Sequence, residues 1–104
     1  MADITAVDET IKRLASYKGV RGILVATADG VPVRTTLEQD AAQQYAALAT
    51  TLASKARSMV REIASDDELQ FLRVRSRRGE IMIAPGADKE RQYCLVVVQN
   101  PVSE

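Results

Sequence analysis

The chain contains 104 residues, and its 14 lysines and arginines are balanced by 14 aspartates and glutamates. This length is typical of one domain, which we predict to span residues 1–104, and the balanced charge argues against a general nucleic-acid or membrane-surface role. Histidine is absent and Cys94 is the single cysteine, so the commonest general base is missing, a zinc site lacks its usual ligands and no internal disulfide is possible. We therefore expect no catalytic residue, no metal site and no cofactor.

The start of the sequence does not resemble a targeting segment. Asp3, Asp8 and Glu9 stand where a signal or transit peptide needs cationic or apolar residues. No apolar run approaches the length of a membrane span. Together with the single cysteine, these features predict a soluble protein of the reducing cytoplasm.

The first predicted element is a helix over residues 4–17. Its apolar residues recur at three- and four-residue steps, the period of one helical face. These residues are Ile4, Val7, Ile11 and Leu14. Asp3 is the expected N-cap, and Gly19 is the expected C-terminal stop.

A hairpin is predicted next. Residues 20–27 contain an unbroken apolar run, which is typical of a strand buried on both faces. Asp29 and Gly30 tolerate the positive φ that a tight turn needs. The returning strand, residues 31–36, contains Pro32, which cannot donate to a ladder, so we place this strand at a sheet edge.

The second predicted helix, residues 40–63 with Asp40 as N-cap, carries two neighbouring apolar rows that together cover roughly 160° of its surface. The row of large side chains contains Tyr45, Leu48, Leu52, Met59 and Ile63. The row of small side chains contains Ala42, Ala46, Ala49, Ala53, Ala56 and Val60.

Two interpretations of this wide stripe are open. Both rows can lie on the domain's own sheet. Alternatively, the large residues cover the sheet while the alanine row meets the same helix of a second copy, because small side chains let two helix backbones approach. We favour the second interpretation.

The rest of the chain is rich in strands, predicted over residues 69–76, 81–84 and 93–98. A charged loop, residues 86–91, is expected to be mobile. Hairpin connections favour an antiparallel sheet, and the two most apolar strands belong in its centre. The predicted fold is therefore α+β, with strand order 2-1-5-4-3, the long helix on one face and the short helix on the other.

In this arrangement the third strand is an exposed edge, and an edge must be protected or paired. Pairing it with its copy across a twofold axis gives a ten-stranded sheet and sets the long helices side by side. The predicted dimer interface comprises Ala46, Ala49, Ala53, Ala56, Val60, Leu72 and Val74.

Few side chains suggest chemistry. The cluster Arg73, Arg75, Arg77 and Arg78 is compatible with solvated edge charges, with an acidic partner peptide, or with a phosphate backbone, of which we favour the first. Asp66, Asp67 and Glu68 are adjacent in a turn and are expected to be solvated. Cys94 lies in an apolar strand and is expected to be a buried, inert thiol.

A partner segment is also expected. The short helices of a dimer leave a groove that an amphipathic segment of another protein can occupy. The candidate contacts are Val7, Ile11, Leu14, Arg73 and Arg75.

Several blocks of this sequence resemble the roadblock-type light chains of the dynein motor. They include KGVRGILV at 18–25, DGVPV at 29–33 and KARSMVREI at 55–63. The likeness continues with FLRVRS at 71–76, EIMIAP at 80–85 and QNP at 99–101. Each block alone is weak, but together they cover nearly the whole chain. The loop at 86–92 and the N-terminus are longer than in animal-type members, which leaves the role of that loop open.

The resemblance implies a non-catalytic homodimer with paired long helices and joined third strands. It implies binding to the dynein intermediate chain, and through it an indirect association with the heavy chain and microtubules. The implied location is the cytoplasm and cytoskeleton, or a cilium or flagellar axoneme, with no nucleic-acid or membrane partner. Roadblock-like domains also occur in complexes that regulate small GTPases, and this is the alternative function.

Overall fold

The computed structural model describes residues 4–86 and 92–101. The predicted N-cap Asp3 and most of the loop at 86–91 lie outside these residues. The elements in chain order are α1 (Ile4–Ala15), β1 (Val20–Thr27), β2 (Pro32–Thr35), α2 (Gln39–Ile63), β3 (Leu72–Arg75), β4 (Glu80–Pro85) and β5 (Tyr93–Gln99). The strands form one antiparallel sheet in the order β2-β1-β5-β4-β3, which confirms the predicted α+β fold and strand order.

The two central strands supply the core on both faces of the sheet. Leu24 pairs with Val96 and Ile23 pairs with Val97, and because side chains alternate along a strand, the two pairs point to opposite faces. Leu24 and Val96 pack beneath α2, whereas Ile23 packs with Val25 beneath α1. The prediction that β1 is buried on both faces is confirmed.

The hairpin between β1 and β2 is closed by a tight turn. The backbone N–H of Gly30 donates to the carbonyl of Thr27 at 3.0 Å. Gly30 has φ +89°, and a Cβ there would lie 3.0 Å from the Thr50 hydroxyl of α2. Glycine is therefore required at this position both by its backbone conformation and by the close approach of the helix. Strand β2 is a sheet edge, as Pro32 predicts.

The helix ends differ from the predicted ones. Helix α1 ends at Ala15, two residues early, because the Ser16 hydroxyl donates to the carbonyl of Arg13 at 2.6 Å and closes the last turn. Helix α2 begins at Gln39, and its N-cap is Glu38, whose side chain makes no capping hydrogen bond. The prediction of Asp40 as N-cap is wrong. Its carboxylate lies in the first turn, where it complements the helix dipole.

Strand β3 is shorter than predicted because its ladder with β4 runs only from Leu72, opposite Ile83, to Arg75, opposite Glu80. Strand β4 is longer and includes Pro85 as its last residue. A proline fits there because the next hydrogen bond to β5 is donated by Gly86, to the Tyr93 carbonyl at 2.9 Å, and the ladder with β3 has already ended at Ile83.

Helix α2 packs on the sheet through its alanines. Its buried residues are Ala42, Ala46, Ala49 and Ala53. The side chains of the sheet that form one core with them include Leu24, Ile83, Cys94, Val96 and Val98. Because these strand residues already fill the space above the sheet, only small helix side chains fit beneath a helix lying this close.

The interpretation that the alanine row faces a second copy is therefore wrong for Ala46, Ala49 and Ala53. Each keeps at most 5% of its surface exposed in a single chain, so none has area left for another subunit. The interpretation that the large residues cover the sheet is also wrong, apart from Tyr45, which is half-buried against the core.

Candidate interaction surfaces

The most exposed apolar surface of the long helix is the row of Leu48, Leu52, Met59 and Ile63, here called the α2 apolar row. Their exposed fractions are 63%, 40%, 59% and 80%. At about 100° per residue, this row lies roughly a quarter turn from the buried alanines. Four large apolar side chains on one exposed stripe indicate a surface that binds another protein.

The open edge of the sheet is the second exposed feature. Strand β3 has β4 on one side and no strand on the other in the described part of the chain. Val74 is 37% exposed, and Leu72, Ala56 and Val60 are half-buried. Of the predicted interface residues, these four retain accessible surface, and their place in an interface stays a prediction.

The sequence contained a signal for the α2 apolar row that periodicity alone missed. The strands beneath α2 carry Leu24, Ile83 and Val96, all bulky residues. A helix lying on a bulky sheet surface needs small residues at the contact, so the larger row must turn outward.

The apolar face of α1 is used by the protein's own core. Ile11 is buried at 9% exposure and packs with Ile23 and Val25, so its prediction as a partner contact is wrong. Val7 and Leu14 are half-buried beside this cluster and keep part of their surface. The helix packs mainly on β1, with Tyr93 and Leu95 of β5 beside the contact, and it leaves the same face of β4 and β3 less protected.

That less protected face carries a buried carboxylate. Glu80 of β4 is 2% exposed. The Arg73 Nε lies 3.3 Å from one of its carboxylate oxygens, and the Gln99 side-chain amide donates to the other at 3.0 Å. Arg73, predicted to bind a partner, therefore already holds an internal ion pair. Arg75 lies on the same face of β3, opposite Glu80 in the ladder.

Replacing Arg73 by methionine is expected to lower the free energy of unfolding by about 1–3 kcal/mol, because it removes a cationic partner from a buried carboxylate. We expect a loss in the lower part of this range, because the Arg73 side chain is 51% exposed and solvent therefore screens the ion pair. Urea unfolding measures the loss. The same substitution at the exposed Arg77 is the control, and an equal loss there would contradict this role of the ion pair.

The single cysteine has no exposed reactive surface. Cys94 is 3% exposed on β5 beneath α2, and burial raises the pKa of its thiol from 9.0 to about 11. The thiol is therefore protonated at neutral pH and has little nucleophilic thiolate.

A thiol reagent is expected to label folded Cys94 at least about 100-fold more slowly than a free cysteine, since two pKa units lower the thiolate fraction by that factor. Unfolding in urea restores rapid labelling. Because the folded-state pKa is raised, the stabilisation from the protonated thiol is complete below pH 9.0 and is lost as the pH rises toward about 11. Rapid labelling of the folded protein would contradict the observed burial.

A cleft of about 150 Å³ lies at the end of the sheet where β1 and β4 finish and β5 begins. Its lining includes Ala28, Ser54, Arg57, Pro85 and Cys94. Among residues 4–86 and 92–101, no group of three acidic or cysteine side chains is placed to hold a metal ion. Neither helix of the described chain combines the length and the apolar composition that crossing a membrane requires.

The fold and its exposed surfaces define a small α+β protein-binding domain, with a long helix on one face of a five-stranded sheet and a short helix on the other. The chain belongs to the Roadblock/LC7 domain family, whose model matches residues 6–99. This match confirms the family that the sequence blocks indicated.

Solved structures share this fold at low sequence identity. The Roadblock/LC7 domain from Streptomyces avermitilis has a TM-score of 0.79 and 20% identity, over 89% of this chain and 77% of that one. Gliding protein MglB from Thermus thermophilus has a TM-score of 0.76 and 12% identity, over 96% and 76%. Myxococcus xanthus MglB has a TM-score of 0.76 and 10% identity, over 99% and 82%. At these identities the likeness establishes the fold.

Proposed function

We propose that this protein is a non-catalytic light chain of a dynein motor, which forms a homodimer and binds the dynein intermediate chain. The exposure of the α2 apolar row is the observation that carries this proposal. A surface helix with four large apolar residues in water requires a cover, and no part of the described chain supplies one. The resemblance of several sequence blocks to roadblock-type dynein light chains supports the choice of this complex.

A second copy covers both exposed features at once. Antiparallel pairing of two β3 edges about a twofold axis satisfies the open ladder. The same axis can set the two α2 apolar rows against each other, because each copy presents the identical stripe. A twofold interface is self-complementary, so one chain supplies all the residues it needs. We therefore place Leu48, Leu52, Met59 and Ile63 at the centre of the interface.

The intermediate chain has a different surface available. On the α1 side of the sheet, Met82 and Ala84 of β4 are half-buried, because α1 packs mainly on β1. An amphipathic segment can bury its apolar anchors there, next to Val7 and Leu14. Heavy chain and microtubules are then indirect partners. The cytoplasm and cytoskeleton, or a cilium or flagellar axoneme, are the proposed locations.

Recovery of the tagged protein from cell extract tests the proposal. Dynein intermediate and heavy chains are expected to co-purify with it. The variant Val7→Asp places a charge at the edge of the proposed docking surface. It is expected to remain dimeric but to recover neither the intermediate chain nor the heavy chain. Recovery of a folded dimer without any dynein subunit would overturn the motor assignment and leave the scaffold fold intact.

Regulation of a small GTPase is the second candidate. Its support is that this chain shares its fold with the MglB structures and that roadblock-like domains occur in GTPase-regulating complexes. A pull-down with a GTPase in its GDP-bound and GTP-bound states separates the two functions. Binding to one nucleotide state only would favour regulation, whereas equal or absent binding would favour the light-chain assignment.

A further inference from the structure

A cluster of cations stands at one end of the sheet, on the side covered by α1. It combines the start of β1, the end of β3 and the turn between β3 and β4, which the strand pairing brings to the same end as the last residue of β5. The cluster, here called the basic corner, comprises Lys18, Arg21, Arg75, Arg77 and Arg78, all exposed.

One contact brings a cation of β1 to the turn between β3 and β4. The Arg21 guanidinium lies beside Gly79, which follows Arg77 and Arg78 in the turn. A side chain at Gly79 would be in contact with it, because its Cβ would lie 3.4 Å from the guanidinium. That turn is fixed by Ser76, whose backbone N–H donates to the carbonyl of Gly79 at 2.8 Å. The Ser76 hydroxyl also accepts from the Gly79 N–H at 3.2 Å. The cations therefore project from a constrained backbone.

The corner has little internal negative charge. In the segments that build it, residues 18–22, 73–80 and 99–101, the only carboxylate is Glu80. Glu80 is buried and already engaged by Arg73 and Gln99. Lys18, Arg21, Arg77 and Arg78 form no ion pair with another described residue. Like charges on neighbouring parts of a surface repel one another, and an anion that binds between them relieves this repulsion.

We propose that the basic corner binds a short acidic segment of a partner protein, in which aspartate or glutamate side chains pair with Arg21, Arg77 and Arg78. The Arg21 guanidinium reaches beside Gly79, so Arg21, Arg77 and Arg78 lie around one turn. About five residues of extended peptide, roughly 16 Å long, are enough to pass across it. Arginine suits this role because its planar guanidinium binds carboxylates through two parallel hydrogen bonds. The chain has no net charge. A small cationic site on a neutral protein is better suited to a short acidic peptide than to a nucleic acid, whose long phosphate backbone requires a wider basic surface.

Fluorescence anisotropy with a labelled oligoglutamate of about five residues tests this proposal on the full-length protein. Binding is expected at about 0.1 M salt and is expected to weaken strongly at about 1 M salt, since screening acts on exposed charges. The double variant Arg77→Glu/Arg78→Glu is expected to bind at least about tenfold more weakly. Arg77→Gln/Arg78→Gln, which introduces no new charge, is expected to show a smaller loss, and circular dichroism verifies that both variants are folded.

The matched control is Arg57→Glu/Arg61→Glu, which makes the same change in net charge on exposed residues of α2. Arg57 borders the cleft at the opposite end of the sheet, so this variant is expected to change the affinity by less than about twofold. No binding at low salt, or an equal loss in the control, would overturn the proposal. Tighter binding to a single-stranded oligonucleotide or to phosphatidylserine vesicles would also overturn it, by assigning the corner to nucleic acid or membrane. These outcomes are independent of the dynein co-purification.

Discussion

Ala53→Arg is expected to unfold the protein rather than to separate two folded copies. Ala53 is 3% exposed and lies in the core between α2 and the sheet. An arginine there places an unpaired charge among Leu24, Val96 and their neighbours, and it also exceeds the available volume. A buried charge without a partner costs about 3–5 kcal/mol, a large part of the roughly 5–15 kcal/mol that stabilises a domain.

Far-UV circular dichroism with urea unfolding measures this loss. The control is Ser54→Arg, which adds the same side chain at the next, exposed position of α2 and is expected to change the stability by less than about 0.5 kcal/mol. A folded, monomeric Ala53→Arg protein of unchanged stability would show that this position faces another subunit after all.

Leu48→Glu/Met59→Glu is expected to have the opposite effect, because it leaves the protomer folded and abolishes its self-association. Leu48 and Met59 are 63% and 59% exposed, so glutamates at these positions remain in water within a single chain. In the proposed dimer the same carboxylates meet their twofold copies inside an apolar contact. The dimer dissociation constant is expected to rise at least about 100-fold, as when central anchors of an interface are removed.

Light scattering during size exclusion measures the mass of each species. The unchanged protein is expected to elute at twice the mass of the chain, and the double variant at the mass of one chain with helical circular dichroism preserved. Ser54→Glu/Ser58→Glu adds equal charge on exposed α2 positions away from the α2 apolar row and is expected to remain dimeric. A double variant of Leu48 and Met59 that stays dimeric would remove the basis of the proposed interface.

The topology could be predicted from the sequence because its determinants are local. The Asp29–Gly30 turn and Pro32 define one hairpin and its edge, and the apolar content of β1 and β5 places both strands in the centre. The family blocks agree with the same order. The helix ends were less accurate, since the Ser16 hydrogen bond and the Glu38 cap depend on side-chain geometry that periodicity does not specify.

The orientation of α2 could not be predicted from the hydrophobic pattern of the helix alone, and the reason is physical. Its two apolar rows are adjacent on the helix, so the hydrophobic pattern fits the sheet equally well with either row inward. The choice depends on the shape of the opposite surface, where Leu24, Ile83 and Val96 pack against the alanines. The arginine cluster at residues 73–78 was identified in the sequence, but Arg21 was not joined to it, because Arg21 reaches Gly79 only through the register of three strands.

The two edges of this sheet are chemically different, and the difference sets how far copies of the protein can assemble. Pro32 removes a ladder donor from β2, whereas β3 has its complete set of backbone groups. If copies join through β3, each uses its complete edge, and both ends of the joined sheet are then short strands that lack one donor. Such edges discourage the addition of a further copy, so Pro32 favours an assembly that stops at two and helps to protect a strand-rich protein against fibre growth.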